Sequence, residues 1–361
     1  MRILILSPHP IESPGPRFRI YQYLSYFKEA GIEYKVGAFL NSAEYMHIYN
    51  DPATSLFEKS NAMVKGLLRQ IHNISDIKSY DEVIVYREAI LFGRPWIERY
   101  ISMRKIPIIF DFDDAIWMPV KSTTGISPFL KRLIKSERKF DEIIGLSTHI
   151  IAGNNYLVSH AKLYNDHISV IPTIVDTDYY KSTDIKQDKS NVVIGWIGSG
   201  STAMYLKLLD NIWKRLPENC SLKIIGGGYN PDGIKTENVK WSLDTELTEM
   251  SEFDIGIMPL PDNEWTRGKC GLKVLQYMAM EMPCAASPVG VNTGIIQDGI
   301  NGFLAKDEKE WVEKLSLLIE NPELRQRLGM AGRKTVEERY SVKDWAPVYL
   351  KIIKEVINKK R

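Results

Sequence analysis

Short apolar runs alternate with longer amphipathic stretches from one end of the chain to the other, the pattern of βαβ units feeding parallel sheets. The spacing predicts strands over 2–6, 34–39, 82–86, 106–110 and 143–146. A second series follows over 192–196, 221–225, 239–241, 254–258 and 284–287. Between the first two strands Ile20, Leu24 and Phe27 share one helical face, and Gly31 ends that helix. The expected fold class is α/β, with two doubly wound, Rossmann-like parallel-sheet domains. The first spans 1–176 and the second 192–344. The polar stretch 177–191 (TDYYKSTDIKQDKSN), which follows the strand-like 169–175, is the expected linker. A last helix, 345–361, returns to the first domain with Leu350, Ile353 and Ile357 on one stripe, and ends in Lys359-Lys360-Arg361. No repeat of about 20–50 residues and no low-complexity segment interrupts this pattern.

Composition narrows the class without naming a function. The chain has 361 residues, 44% hydrophobic and 25% charged, which suits two ordinary domains and excludes disorder, collagen and coiled coil. With 47 basic and 45 acidic residues the net charge is +2, so no global argument for nucleic acid exists and none is expected as a partner. Cys220, Cys270 and Cys284 lack CxxC spacing, which argues against a disulfide framework and a zinc site and points to a reducing cytoplasm. The opening MRILILSP has too short an apolar core for a signal peptide and reads as a first buried strand. No window of about 18 apolar residues is present to span a membrane.

In open parallel sheets ligands bind beyond the carboxyl ends of the strands, so the loops that follow strands matter most. Five of them carry chemistry. In the first (7–19), Gly15 permits close backbone approach, and Arg17 and Arg19 stand at a helix entrance suited to phosphate. A Pro-stiffened turn with solvated arginines fits equally well. In the second (196–202), Gly198, Ser199, Ser201 and Thr202 open a helix and would either cradle phosphate oxygens or merely cap it. The third, Gly226-Gly227-Gly228, allows a flat ring to lie on the backbone, or forms a tight turn. The fourth (263–276) runs into a helix with Arg267, Lys269 and Lys273 converging near its positive end and Gln276 on the face of Lys273; such a cluster points to an anionic ligand. The fifth, Asp111-Phe112-Asp113-Asp114, carries carboxylates at i and i+2, spaced for a divalent ion or for capping the next helix. Neither GxGxxG nor GxxxxGK[ST] occurs, and the six histidines show no paired-ligand spacing. Of these six only His9 lies near a predicted site.

Taken together these residues resemble the retaining glycosyltransferases of the GT-B fold, in the large family four that includes sucrose synthase and many bacterial mannosyl- and glucosyltransferases. The strongest likeness is Gly271-Leu-Lys-Val-Leu-Gln-Tyr-Met-Ala279, followed by Met282-Pro283, Ala286-Ser287-Pro-Val-Gly290 and Gly299-Ile-Asn-Gly-Phe-Leu304. Gly15 with Arg17, Gly153-Asn154, Ile171-Pro172, Val175-Asp176, Gly226–Gly228 and 254–259 keep the family's order. There are departures as well. Where the family has two glutamates with seven residues between them, this chain has Gly268 and Gln276, and the family's Arg and Lys after the first strand of the second domain have no counterpart in 198–202.

The resemblance implies two Rossmann-like domains facing across a cleft that closes by a hinge, and transfer of a sugar from a nucleotide diphosphate donor to a hydroxyl with retention. It implies polysaccharide or glycoconjugate synthesis as the setting. The nucleotide sugar is a substrate and its base is open; no cofactor and no metal at Asp111–Asp114 are expected. Arg267, Lys269, Lys273 and Arg17 would stabilise the leaving diphosphate. Gly15, Gly198, Ser199, Gly227 and Gln276 would line the donor, and Asp113 or Asp114 would orient sugar or acceptor. The acceptor is expected to be a glycan or a lipid-linked glycan. The stretches 56–71 (LFEKSNAMVKGLLRQI) and 128–140 (PFLKRLIKSERKF) suit either an anionic membrane surface or amphipathic helices covering the sheet. Two competing readings are another GT-B enzyme, such as an epimerase or phosphorylase, and a non-catalytic sugar- or partner-binding module with an altered donor site.

Overall fold

The computed structural model describes residues 1–51, 53–118, 138–182 and 191–358. Of the sequence expectations, 128–137 of the second basic stretch, most of the linker and Lys359–Arg361 lie outside these residues. The chain divides into two compact units, Met1–Pro172 with Trp345–Arg361, and Thr173–Asp344. Residues 173–182 thus pack with the second unit: Val175 bridges Ser341, and Arg333 donates to the carbonyls of Thr177 (2.8 Å) and Tyr180 (2.6 Å).

The first unit is built on six parallel strands, β1 (Arg2–Ser7), β2 (Glu33–Ala38), β3 (Glu82–Tyr86), β4 (Ile108–Phe112), β5 (His149–Ala152) and β6 (Ile168–Val170), in the order β2-β1-β3-β4-β5-β6. The chain moves outward from β1 to β2 and then crosses to β3 on the far side of β1. This reversal puts the topological switch point, where ligands of such sheets bind, between β1 and β3. Helices α1 (Pro14–Arg19), α2 (Leu24–Glu29), α3 (Ser42–Asn50), α4 (Leu56–Asn73), α5 (Trp96–Met103), α6 (Lys139–Leu146) and α7 (Asn155–Ala161) make the crossovers.

Two corrections to the predicted elements follow from periodicity. The apolar residues of 143–146 belong to helix α6, because Phe140, Ile143 and Ile144 recur at helical spacing and are buried; the strand, β5, follows after Ser147 and Thr148. The strand predicted over 106–110 starts two residues later, which draws Asp111 into the buried sheet.

The second unit repeats the theme with β7 (Val192–Ile197), β8 (Cys220–Ile225), β9 (Lys235–Val239), β10 (Ile255–Met258), β11 (Cys284–Ala286) and β12 (Phe303–Leu304), all parallel in the order β12-β11-β10-β7-β8-β9. Its switch point lies between β7 and β10. The strand predicted over 239–241 is replaced by the half-exposed edge strand β9. Helices α8 (Gly200–Ala203), α9 (Glu246–Ser251), α10 (Glu264–Arg267), α11 (Leu272–Ala279), α12 (Asn292–Ile295), α13 (Glu308–Glu320) and α14 (Pro322–Arg339) surround the sheet. Trp196, Trp213, Leu222, Ile224, Ile255 and Ile257 anchor the core.

At the switch point Gly195 and Gly256 face each other in register. A Cβ at Gly195 would fall on the ring of Phe253 and one at Gly256 on the ring of Tyr277, so both aromatics lie flat on bare backbone. The β7–β10 ladder stops there. The Tyr277 hydroxyl takes over, accepting from the Ile197 amide at 3.2 Å and donating to the Ile257 carbonyl at 3.2 Å. The final helix, α15 (Val342–Asn358), begins three residues before the predicted start. It brings Tyr349 against Tyr23 and Phe27 of the first unit, with ring centroids 4.8 and 5.5 Å apart.

Candidate functional site

In the second unit the loops after β7 and β8 abut. The Gly198 amide donates to the Ile225 carbonyl at 3.0 Å, and a Cβ on Gly226 would stand 2.5 Å from the Gly198 oxygen. The indole of Trp196 lies beneath both loops: a Cβ on Gly198 would come within 2.6 Å of it, and one on Gly227 within 2.8 Å. Lys273, in the first turn of α11, completes this notch. Its ammonium stands 5.3 Å from the Trp196 ring centroid, and its Cε would be 2.9 Å from a Gly198 Cβ. Gly198, Gly227 and Lys273, far apart in sequence, are therefore brought to one place, with Ser199 beside them; the Ser199 hydroxyl bonds Ser201 at 2.8 Å. The glycines leave the backbone uncovered here, and Lys273 adds a cation at a helix start, an arrangement suited to an anion.

The other predicted cations of the fourth loop are held locally. Arg267 makes a bidentate pair with Asp262 (2.6 and 3.0 Å), which keeps that carboxyl below its ordinary range. The Lys269 ammonium sits 5.3 Å over the Trp265 ring. Gln276 is buried one turn beyond Lys273. Its amide nitrogen lies 3.3 Å from the Glu246 carboxylate and 3.3 Å from the Tyr180 hydroxyl, while Glu246 also accepts from the Tyr180 hydroxyl and from the Trp241 indole (2.5 Å). The Gln276 side chain is thus turned into an internal polar knot that ties residues 173–182 to α9 and α11. Tyr180 and Glu246 carry no local motif and were invisible to sequence reasoning.

In the first unit the loop after β1 and the ends of β3 and β4 form a second cluster. Gly15 fits under Tyr86, whose hydroxyl a Cβ at that position would meet. Tyr86 donates to Asp113 at 2.8 Å, Arg87 adds bonds to Asp113 at 2.8 and 3.1 Å, and Arg87 also pairs with Asp114. Arg87 holds a left-handed backbone, φ 57°, directly after β3, a strain that non-glycine residues sustain where surrounding contacts over-determine it. Burial alone would raise the Asp113 carboxyl. Arg87 and then Arg19 outweigh it, so Asp113 stays below the usual carboxylate range.

Arg19 is a correction to the phosphate reading of the first loop. It is buried, clamps Asp111 at 2.8 and 2.9 Å, and donates to the carbonyls of Ile171 (2.6 Å) and Pro172 (2.9 Å). Burial pushes the Asp111 carboxyl up to about 6 even against this partner. All three carboxylates of 111–114 are thereby engaged by arginines. Arg17 packs its guanidinium 4.9 Å from the Phe18 ring. His9 is held neutral, its pKa lowered to about 3 by burial and then by Arg87, and it touches the Tyr49 hydroxyl at 3.1 Å. Arg87 was legible only as the residue that follows a strand at its carboxyl end.

Residues 191–321 match the family described as Glycosyl transferases group 1. A curated relative, "Putative glycosyltransferase EpsD" of Bacillus subtilis (strain 168), is 38% identical over 84 residues, a stretch that spans 22% of this chain and 22% of that protein. Among solved structures the chain is similar to sucrose-phosphate synthase (tll1590) from Thermosynechococcus elongatus, with a TM-score of 0.71 at 12% identity over 99% of each chain. A glycosyltransferase from Rickettsia africae ESF-5 gives 0.66 at 16% identity, covering 99% of this chain and 98% of that one. Anabaena Alr3699/HepE, solved in complex with UDP-glucose, gives 0.68 at 13% identity over 98% and 100%. Two parallel six-stranded sheets flanked by helices, similar over nearly the whole chain to these structures, make this a GT-B fold, and residues 191–321 match the glycosyl transferases group 1 family.

Proposed function

We propose that the protein transfers a sugar from a nucleotide diphosphate donor to a hydroxyl acceptor, with retention at the anomeric carbon. The observation that carries this reading is the notch of the second unit, where Gly198, Gly227 and Lys273 meet over Trp196. Breaking the glycosidic bond puts negative charge on the β-phosphate and positive charge on the sugar ring. Lys273 and the amides of the Gly198 loop and the α11 start would stabilise the departing diphosphate. No side chain is assigned as a covalent nucleophile; the acceptor attacks from the departing side and gives its proton to the leaving phosphate. The Anabaena protein, solved with UDP-glucose and with UDP, supports a uridine nucleotide as the first donor to try. Asp113, fixed as an anion by Arg87, is suited to orient a hydroxyl. A glycan or lipid-linked glycan fits as acceptor, in polysaccharide or glycoconjugate synthesis on the cytoplasmic side. Among the described residues no helix is long and apolar enough to cross a membrane.

A second reading, a binding module without turnover, is favoured by one observation: Gln276 is committed to Glu246, and Gly268 offers no carboxylate to a sugar. Thermal shift with UDP, GDP, ADP, CMP and their sugar conjugates, with and without EDTA, separates the two. A ligand at about 100 times its Kd adds about 2.7 kcal/mol, several degrees in a unit of this size. The transferase reading requires one nucleotide to shift the midpoint, Lys273→Ala to abolish the shift, and the matching sugar conjugate to be consumed. A shift without consumption of any conjugate selects the module. No shift at all overturns the donor site.

A further inference from the structure

The polar knot around Gln276 decides which end of that amide is left for a ligand, because each hydrogen bond in it has one permitted direction. An indole N–H only donates and a carboxylate only accepts. Trp241 therefore donates to Glu246 Oε2 at 2.5 Å, and the Tyr180 hydroxyl donates to Glu246 Oε1. Gln276 meets the same Oε1 at 3.3 Å and the Tyr180 oxygen at 3.3 Å. Beside a carboxylate oxygen the amide must turn its nitrogen, Nε2, inward. Its N–H donors go to Glu246 and to the Tyr180 oxygen, whose own proton is already given to Glu246. The carbonyl oxygen Oε1 is thereby turned away from the knot, and it has no hydrogen-bond partner among the described residues although Gln276 is buried.

A buried acceptor without a donor is unfavourable, and a ligand hydroxyl relieves it. Gln276 follows Lys273 by three residues in α11, on the same face and about 4.5 Å further along the axis. In a nucleoside diphosphate whose phosphate stands at Lys273, the pentose comes next along the molecule. We propose that Glu246 is a positioning residue, holding Gln276 so that Oε1 accepts from a hydroxyl of the nucleotide's pentose. The assignment rests on the nucleotide reading of the notch. The chain thereby divides between two residues what a single glutamate at 276 would supply, the acceptor at 276 and the negative charge at 246.

Calorimetric titration of the full-length chain tests it, with UDP, GDP and ADP and with their 2′-fluoro-2′-deoxy and 3′-fluoro-3′-deoxy forms, in which fluorine stands for a hydroxyl and cannot donate. The nucleotide that binds should lose affinity by about fivefold to tenfold when the contacted hydroxyl is replaced. Glu246→Gln should reduce that ratio to within about twofold. Trp241 still requires an oxygen, so the new amide nitrogen at 246 faces Gln276, whose own amide turns over and presents N–H in place of Oε1. Exchanging the two, Glu246→Gln with Gln276→Glu, puts an acceptor back at 276 and should restore the ratio. A residue that only stabilised the fold would weaken the nucleotide and its fluoro form alike, leaving the ratio unchanged while Tm fell. The wild-type comparison and the exchanged pair keep the test independent of how well Glu246→Gln folds. Equal affinity of the parent nucleotide and both fluoro forms in the wild type, or a wild-type ratio in Glu246→Gln, overturns the assignment and leaves the donor site standing. Absence of binding by every nucleotide overturns the donor site itself, and this assignment with it.

Discussion

Tyr277→Phe removes one oxygen atom and nothing else, which makes the Tyr277 hydroxyl the sharpest test of how the second unit is held open. That hydroxyl joins the last amide of β7 to a carbonyl of β10, where the ladder between the two strands has already ended. Both groups are buried. Phenylalanine keeps the ring on Gly256 but leaves the Ile197 N–H and the Ile257 C=O without their partner. An orphaned buried polar group costs about 1–3 kcal/mol. Some relaxation toward a strand–strand bond recovers part of this, so about 2–3 kcal/mol is expected in total. For a unit of this size that is a fall in Tm of about 5–10 °C. Calorimetry measures the loss, and amide hydrogen exchange locates it, since the Ile197 amide should lose protection by one to two orders of magnitude while strands of the first unit do not change. Because Gly198 follows Ile197, nucleotide affinity should weaken in parallel. A loss below about 0.5 kcal/mol with Ile197 still protected would refute the bridging role.

Three further outcomes are expected. Gly198→Ala should lower nucleotide affinity by about tenfold or more in calorimetric titration and lower Tm as well, because the new Cβ would press on the buried Trp196 and on Lys273, which must shift to admit it. Glu281, which follows α11 with φ 55°, occupies a position that favours glycine, so Glu281→Gly should raise stability by about 0.5–1 kcal/mol in urea titration. Glu82 is buried with no hydrogen-bond partner for either oxygen among the described residues, and burial followed by the Asp81 charge raises its carboxyl well above the usual range. Its contribution to stability is complete below the unfolded value of about 4.3 and is lost as pH rises toward the folded one. Glu82→Gln should therefore flatten the decline in stability between pH 5 and 8, a decline of at most about 1.4 kcal/mol per pH unit. Parallel slopes for the variant and the wild type would contradict this.

Periodicity exposed the parts of this fold that bury both faces of a strand. β1, β3, β7 and β10 are continuous apolar runs, and their order implies two doubly wound sheets. Strands with little to bury were illegible: β9 is half exposed, β12 has two residues and β5 four. For the site, glycines after strands and a lysine in a first helical turn could be read locally, and Gly198, Gly227 and Lys273 do meet. What sequence could not show is which charges are already spent. Arg19 looks like any loop arginine, yet its partner Asp111 is 92 residues away. Gln276 is likewise paired with residues 30 and 96 positions distant. In α4 the periodic pattern was plain but its orientation was not, since the inward side is chosen by the close approach of Gly66 to Phe39.

The facing glycines of β7 and β10 carry a consequence for how this sequence can diverge. Gly195 is matched to Phe253, and Gly256 to Tyr277, through direct overlap of each ring with the space a methyl group would fill. Neither glycine can acquire a side chain while its ring remains, whereas shrinking the ring first opens a cavity that costs about 3–5 kcal/mol. Each pair therefore forms an epistatic lock in which the order of substitutions decides viability. Phe253→Leu should convert Gly195→Ala from a disruptive change into a tolerated one, and in descendants of this chain the two positions should change together or not at all.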